Sequence, residues 1–320
     1  MTTCVARRRA FLGAALAACL LVGTAGCGRY AEGEEVTDLT PPPVAAGHPP
    51  GTVTLPMGTE MGVAVKKVQD TITANGGTVL ATVDNAADAS NVGATVPANT
   101  VVIGGAAATG LPMLRTNQQA AAALPERYLV HQTATGAVQL VYNGPDYVAV
   151  VSGVVDLAAT TPFAQSVTQI ADQSTGTVGN QKSAPLVGVS PTGYLKVAES
   201  NASVPATVAR LTTEVKSAGE AVVASQDLAT GSGKDGPALR ATTSILVSIP
   251  LLTSPLVTAA PTFGLELPLR FVVYLDDKNV TQVGYVDVGV LAVRHGLKAD
   301  DPNVVKLAAE CDRLAKIATG

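Results

Sequence analysis

Residues 265–297 read LELPLRFVVYLDDKNVTQVGYVDVGVLAVRHGL, and the plan of this stretch occurs twice in the chain. Pro125, Arg127 and Tyr142 recur as Pro268, Arg270 and Tyr285, each pair 143 residues apart. Carried upstream, the same spacing pairs Gly76 with Gly219, Asp84 with Asp227 and Pro112 with Pro255 without a gap. The chain is a tandem duplication. Each copy is long enough to bury a core of its own.

Composition narrows the class. Charged residues make up 14% of the 320, well under the roughly 25% of typical soluble domains, so the copies are expected to be well buried and packed on each other. The net charge is −4, and it becomes more negative once Arg7, Arg8 and Arg9 are removed with a signal segment. That sign repels phosphate backbones and argues against nucleic acid. With no Trp and 3% aromatic residues, stacking platforms for bases are scarce.

Residues 1–27 read as an export signal: a basic opening, an apolar run from Ala10 to Ala25, then Gly26-Cys27. At about 1.5 Å per residue that run falls short of a hydrocarbon core of about 30 Å, so cleavage is expected rather than retention. Thr24-Ala25-Gly26-Cys27 resembles a bacterial lipobox, which makes Cys27 the expected lipidation site, although Thr24 stands where Leu is usual. Arg8-Arg9-Ala10-Phe11-Leu12 looks like a twin-arginine signal, and an ordinary basic leader is the alternative. The expected location is extracytoplasmic, lipid-anchored to the bacterial membrane. Cys4 and Cys19 would leave with the signal and Cys27 would be acylated. Cys311 then stays as a thiol on the helical stripe Leu307, Cys311, Leu314, where packing is its simplest role.

Residues 28–50, with five prolines from Pro41 to Pro50 and with His48, read as a disordered tether. The first domain is expected over 51–172, a linker over 173–192 and the second domain over 193–320. In the first, a strand near Thr52 to Leu55 precedes a helix with Met61, Val65, Val68 and Ile72 on one stripe, Thr59 as its cap and Asn75-Gly76 as its stop. The second copy repeats the stripe with Val204, Val208, Leu211 and Val215, Ser203 as cap and Gly219 as stop. Strands follow near Thr78 to Asp84 and Thr100 to Gly104, then a turn and short helix over Leu111 to Leu124, then a hairpin of Arg127 to Gln132 and Val138 to Asn143. Closing helices are expected from Thr161-Pro162 and Asp301-Pro302. Each copy thus reads β-α-β-β-β-β-α: an α+β fold of about five antiparallel strands and two helices.

Candidate chemistry is thin. The three histidines are scattered over tether, strand and helix end, no Cys-x-x-Cys occurs, and neither a metal nor a cofactor is implied. His295 is placed at a helix C-terminus, where it would meet free carbonyls. His131, paired with Tyr274 by the repeat, reads as half-exposed on its sheet. Asp84 and Asp227, at strand ends, suit the capping of a turn better than proton transfer. Gly104-Gly105 before an alanine run lacks the further glycines and the Lys-Ser/Thr of a phosphate loop. Arg127 and Arg270 are the best placed to face an anion, with a salt bridge inside the hairpin as the plainer role.

At LELPLRFVVYLDD, GYVDVGVLAVRHGL and YNGPDYV the chain resembles the bacterial family of domain of unknown function 302 (DUF302) over residues 51–155 and 194–300. The resemblance implies a fold like one half of TATA-binding protein and a tendency to dimerise, so the two copies are expected to pack as an intrachain pseudo-dimer. The family's Asp-His pair appears as Asp84-Asn85 and Asp227-Leu228, so both histidines are missing. Its Pro-rich, Lys-containing segment appears as Val247 to Val257 without the lysine, and more loosely as Ile103 to Leu114. What remains of a family site would be Asp84/Asp227, Arg127/Arg270, Tyr142/Tyr285 and His295.

The expected role is non-enzymatic: binding a small or apolar ligand, or a cell-envelope partner, in the groove between copies. An enzyme would need Asp227, Arg270, Tyr285 and His295 to converge in one pocket. A purely structural lipoprotein would have a filled interface.

Overall fold

The computed structural model describes residues 47–177, 181–234 and 236–320. The expected signal segment, Cys27 and most of the tether lie outside the described residues. In the first copy the elements are β1 (Thr52–Pro56), α1 (Met61–Ala74), β2 (Thr78–Asp84), α2 (Asn85–Asn91), β3 (Asn99–Gly105), α3 (Ala107–Thr116), a 3-10 turn (Gln118–Ala122), β4 (Arg127–Gln132), β5 (Val138–Asn143), α4 (Pro145–Val151) and α5 (Leu157–Thr175). The second copy runs β6 (Leu195–Ser200), α6 (Val204–Ser217), β7 (Ala221–Asp227), β8 (Thr242–Ser248), α7 (Pro250–Ala259), a 3-10 turn (Pro261–Glu266), β9 (Leu269–Leu275), β10 (Thr281–Val286), α8 (Val288–Arg294) and α9 (Pro302–Thr319). Helix α2 has no counterpart in the second copy.

Each copy builds one antiparallel sheet, ordered β1-β5-β4-β3-β2 and β6-β10-β9-β8-β7. Even the irregularity is duplicated: the register shifts between Val79 and Ala81 in one sheet and between Val222 and Ala224 in the other. A two-residue side-chain period makes a slip of one residue turn every core side chain outward, so burial holds this register. The last helices are offset differently. The buried stripe of α5 is Thr160, Phe163, Val167, Ile170, Ala171 and Ser174, and that of α9 is Val304, Leu307, Cys311, Leu314, Ala315 and Ala318, each pair 144 apart. One residue has been gained after α8, and the packing phase of the helix has been kept.

Alternation along the strands sorts side chains onto two faces. Tyr128, Val130, Leu140 and Tyr142 turn toward the helices with Val68, Ile72, Phe163 and Val167, as Phe271, Val273, Val283 and Tyr285 do with Leu211, Val215, Leu307 and Leu314. The opposite faces meet each other: Val83, Val101, Ile103, Leu129 and Val141 form one apolar cluster with Leu246 and Leu265. The pseudo-dimer therefore has a helix layer on each outer side and two sheets within. Each 3-10 turn bonds to the sister sheet, with Gln118 Nε2 donating to Thr242 Oγ1 at 2.8 Å and Asn99 Nδ2 donating to the Pro261 carbonyl at 2.8 Å.

Several local expectations change. The tether reading ends early, because Pro49 and Pro50 are buried. Helix α5 starts at Leu157, four residues before Thr161, because the Asp156 side chain accepts from Ala158 N and caps it there. The cap of α1 is Glu60 rather than Thr59, and Ser203 occupies the cap position of α6 without a side-chain bond. Part of the expected linker is packed: Ala184 exchanges backbone bonds with Gly51 and Thr52 along the edge of β1, covering a strand edge that would otherwise be free to pair elsewhere. Among the described residues no helix is long and apolar enough to cross a membrane.

Candidate functional site

The strand-end aspartates cap turns. Asp84 Oδ1 accepts from the backbone N–H groups of Ala86 and Ala87 at the start of α2, and Asp227 Oδ1 accepts from those of Ala229 and Thr230 while Oδ2 accepts from Thr230 Oγ1. The tyrosines lie on the helix faces. Tyr142 packs against Tyr128 with ring centroids 6.1 Å apart, and Tyr285 packs against Phe271 at 5.2 Å and donates its hydroxyl to Asp312.

Arg127 and Arg270 lie on the opposite faces, between the copies. Instead of a carboxylate in its own hairpin, each meets a carbonyl of the sister copy: Arg127 Nη2 donates to Pro268 O at 2.7 Å, and Arg270 Nη2 donates to Pro125 O at 2.9 Å. Burial pushes both guanidinium pKa values down, and in Arg270 the neighbouring Arg127 adds to the effect.

His295, the C-cap of α8, meets side chains rather than free carbonyls. Its Nε2 is 2.9 Å from Glu266 Oε1 and its Nδ1 is 3.0 Å from Thr262 Oγ1. Burial pushes its pKa down, so the ring is neutral, and a proton on Nε2 satisfies both contacts. The same Glu266 oxygen accepts from Arg294 Nη1 at 2.5 Å. Arg294 also donates to Pro50 O and Asn143 Oδ1 and stacks 3.6 Å from the centre of the Tyr147 ring. Burial alone would raise the Glu266 carboxyl, but Arg294, His295 and Arg127 outweigh it and hold the pKa at about 2. This network clamps one copy to the other. Sequence reasoning missed Glu266, Arg294 and Glu126, whose counterparts Ala123, Val151 and Leu269 carry no charge. His131, expected half-exposed, is 6% exposed because the sister copy covers its strand face, and neither ring nitrogen has a protein partner.

The four side chains that an enzyme would need do not share a cavity. Arg270 and Tyr285 line a void of about 10 Å³ with Arg127 and Glu266, room for about one water. Asp227 lines a different cavity, and His295 is sealed in its network. Among the described residues no three His, Cys, Asp or Glu side chains gather as a metal site requires.

The cavity that Asp227 lines is the feature the sequence did not reveal. Its volume is about 420 Å³, and its walls come from both copies: the end of β3, α3, Leu124, Pro125, Glu126 and Tyr128 from the first, Gln226, Asp227, Leu228 and Thr230 to Ser232 from the second, with Phe163 and Val167 of α5. The pseudo-symmetric place is lined by the equivalent residues and measures about 10 Å³. Counterpart positions explain the difference. Gly104, Gly105, Ala106 and Gly110 in the open site stand where the closed one has Val247, Ser248, Ile249 and Thr253. Across the interface, Gly231 stands opposite the open site where Asp88 of α2 fills the closed one and accepts from Ser248 Oγ at 3.2 Å. Gly104 is needed for a second reason: a Cβ there would come within 2.5 Å of the Thr78 carbonyl oxygen at the bulged edge.

The two five-stranded α+β units, doubled in one chain, define the class, and the comparisons agree. A match to the family described as Domain of unknown function DUF302 covers residues 52–174 and again 196–316. The chain belongs to the DUF302 family, with two of its domains in tandem. A crystal structure of an uncharacterized conserved protein DUF302 from Bacillus stearothermophilus is similar at 17% identity and a TM-score of 0.33, covering 39% of this chain and 95% of that one. Among curated proteins no sequence matches.

Proposed function

We propose that the protein is a cell-envelope lipoprotein, anchored through Cys27, that binds a small apolar ligand without transforming it. The observation that carries this reading is the difference between about 420 Å³ and about 10 Å³ at two places related by the repeat. A cavity produced by chance looseness would not coincide with glycine at Gly104, Gly105, Gly110 and Gly231, while the counterpart of each carries a side chain. The volume falls within the roughly 300–1,000 Å³ of small-molecule sites, and Leu111, Leu114, Leu124, Phe163 and Leu228 provide the apolar lining such sites favour. The anchor rests on the lipobox-like Thr24-Ala25-Gly26-Cys27.

Native mass spectrometry of the full-length protein extracted from its source membrane tests both parts. The expected spectrum shows a diacylglyceryl mass on Cys27 and a bound small molecule that is lost in Ala108→Trp, a substitution at an exposed residue of the cavity wall. An unmodified N-terminus would overturn the anchor. Identical spectra with and without the tryptophan would overturn the binding site.

A further inference from the structure

Three polar residues of the open cavity have apolar counterparts in the repeat, one of which, Val83, lines the closed site. Glu126, Tyr128 and Gln226 all line the cavity of about 420 Å³, and 143 residues away their places are taken by Leu269, Phe271 and Val83. Glu126 is 2% exposed and Tyr128 is fully buried. Glu126 Oε2, the Tyr128 hydroxyl and Gln226 Oε1 have no hydrogen-bond partner in the protein. A buried polar atom without a partner costs on the order of 1–3 kcal/mol, and the other copy shows that this fold accepts apolar residues at all three positions. At these three positions the polar member of each pair is the one that lines the open cavity.

The charge of the lining gives the sign of the ligand's head. Glu126 and Asp227 are both in the wall and no lysine, arginine or histidine is, while Arg270 and Arg127 lie behind Glu126 and partly offset its charge. With Glu126 ionised, as it is at pH 8, two of the unpartnered atoms, Glu126 Oε2 and Gln226 Oε1, are acceptors, and the Tyr128 hydroxyl can act either way. An anionic head would meet two carboxylates in the wall with no cation among the lining residues, and a head with only acceptors would leave both carbonyl-type oxygens unmatched. We infer that the cavity takes an apolar molecule ending in a single hydrogen-bond-donating head, an alcohol or an amine, with Glu126 and Gln226 receiving the head and the leucine-rich wall holding the body. This rests on the binding role proposed above and narrows it to a ligand class.

Isothermal titration of the full-length protein at pH 8 with 1-octanol, octylamine and octanoate separates the two claims. The expected result is that the alcohol and the amine bind at least ten-fold more tightly than octanoate, and that Ala108→Trp abolishes binding of all three. Glu126→Gln keeps the shape and removes the charge, and it should narrow the octylamine-to-octanoate ratio at least ten-fold while 1-octanol still binds, which also shows that the variant is folded. Equal binding of the three probes, or preference for octanoate, overturns the assignment of the head while leaving a cavity that binds. If no probe binds the parent protein, the binding site itself is overturned and the ligand class falls with it.

Discussion

Arg127 reaches across the pseudo-twofold to Pro268, its Nη2 donating to the carbonyl oxygen at 2.7 Å, and the reverse contact from Arg270 to Pro125 measures 2.9 Å. Each arginine thus satisfies a carbonyl of the other copy just ahead of that copy's own arginine. A charged donor in such a bond contributes about 1.5–3 kcal/mol, and truncating it also strands the carbonyl. Arg127→Ala should lower stability by about 2 kcal/mol in urea denaturation. Because the bond joins the copies, the loss should come with weaker cooperativity between them, read as separated transitions by two probes.

Glu266 is the single carboxylate that Arg294 and His295 both contact, at 2.5 and 2.9 Å. Removing one partner of a buried charge pair costs about 3–5 kcal/mol, so Glu266→Gln should lose about that much at pH 7. Its pKa is depressed to about 2, so its contribution is fully present above the unfolded value near 4.5 and is lost as the pH falls from there toward 2. The difference between parent and variant should shrink over that window.

Glu126 titrates in the opposite sense. Burial raises its pKa to about 7, against the Arg127 backbone N–H and the Arg270 charge, which lower it. The folded state then binds this proton more tightly than the unfolded one, so stability falls as the pH rises from about 4.5 to 7. At about 1.4 kcal/mol per unit this amounts to about 3 kcal/mol, and Glu126→Gln should remove it. His131 and His295, both lowered by burial, act the other way by costing stability as the pH drops below about 6.5. The test is therefore the difference between parent and variant across pH 4.5–8, and a difference that does not change with pH would refute it.

Gly264 sits directly against side chains of the sister copy. A Cβ there would overlap Asn99 Oδ1 and lie 2.9 Å from Asn85 Nδ2, the two side chains that bond each other at 2.8 Å and tie β3 to the sister 3-10 turn. Overpacking of this kind costs about 1–3 kcal/mol. Gly264→Ala should destabilise by that amount in thermal denaturation, while Gly62→Ala, with open space around it, should not destabilise.

Cys311 is 1% exposed, and burial with the nearby Asp312 pushes its thiol pKa well up. Reactivity requires an accessible thiolate. Peptide mapping after maleimide treatment at pH 8 should find Cys311 unlabelled in the native protein and labelled in urea, and native labelling would contradict its place in the core.

The repeat made the strands legible. Tyr142 and Tyr285 fixed the register, and Asp84 and Asp227 carried their turn-capping role on their position at strand ends. Contacts between the copies were not legible, because one copy's pattern says which face is apolar and not what covers it. For that reason His131 read as half-exposed, and Arg127 and Arg270 read as partners of their own hairpins. Glu126, Glu266 and Arg294 were hidden because a search for what the copies share passes over what only one has. The signal for the cavity was present in that difference: Gly104-Gly105 against Val247-Ser248, and Gly231 against Asp88.

Covalent fusion of the two domains releases a constraint that a homodimer cannot escape. Two identical subunits related by a twofold axis must carry identical hollows, and any residue that plugs one plugs the other. Here one end of the seam is solid, with Val247, Ile249 and Asp88 packed into it, and the other end is open. Joining the halves has let one gap serve as mortar while the other stays a room.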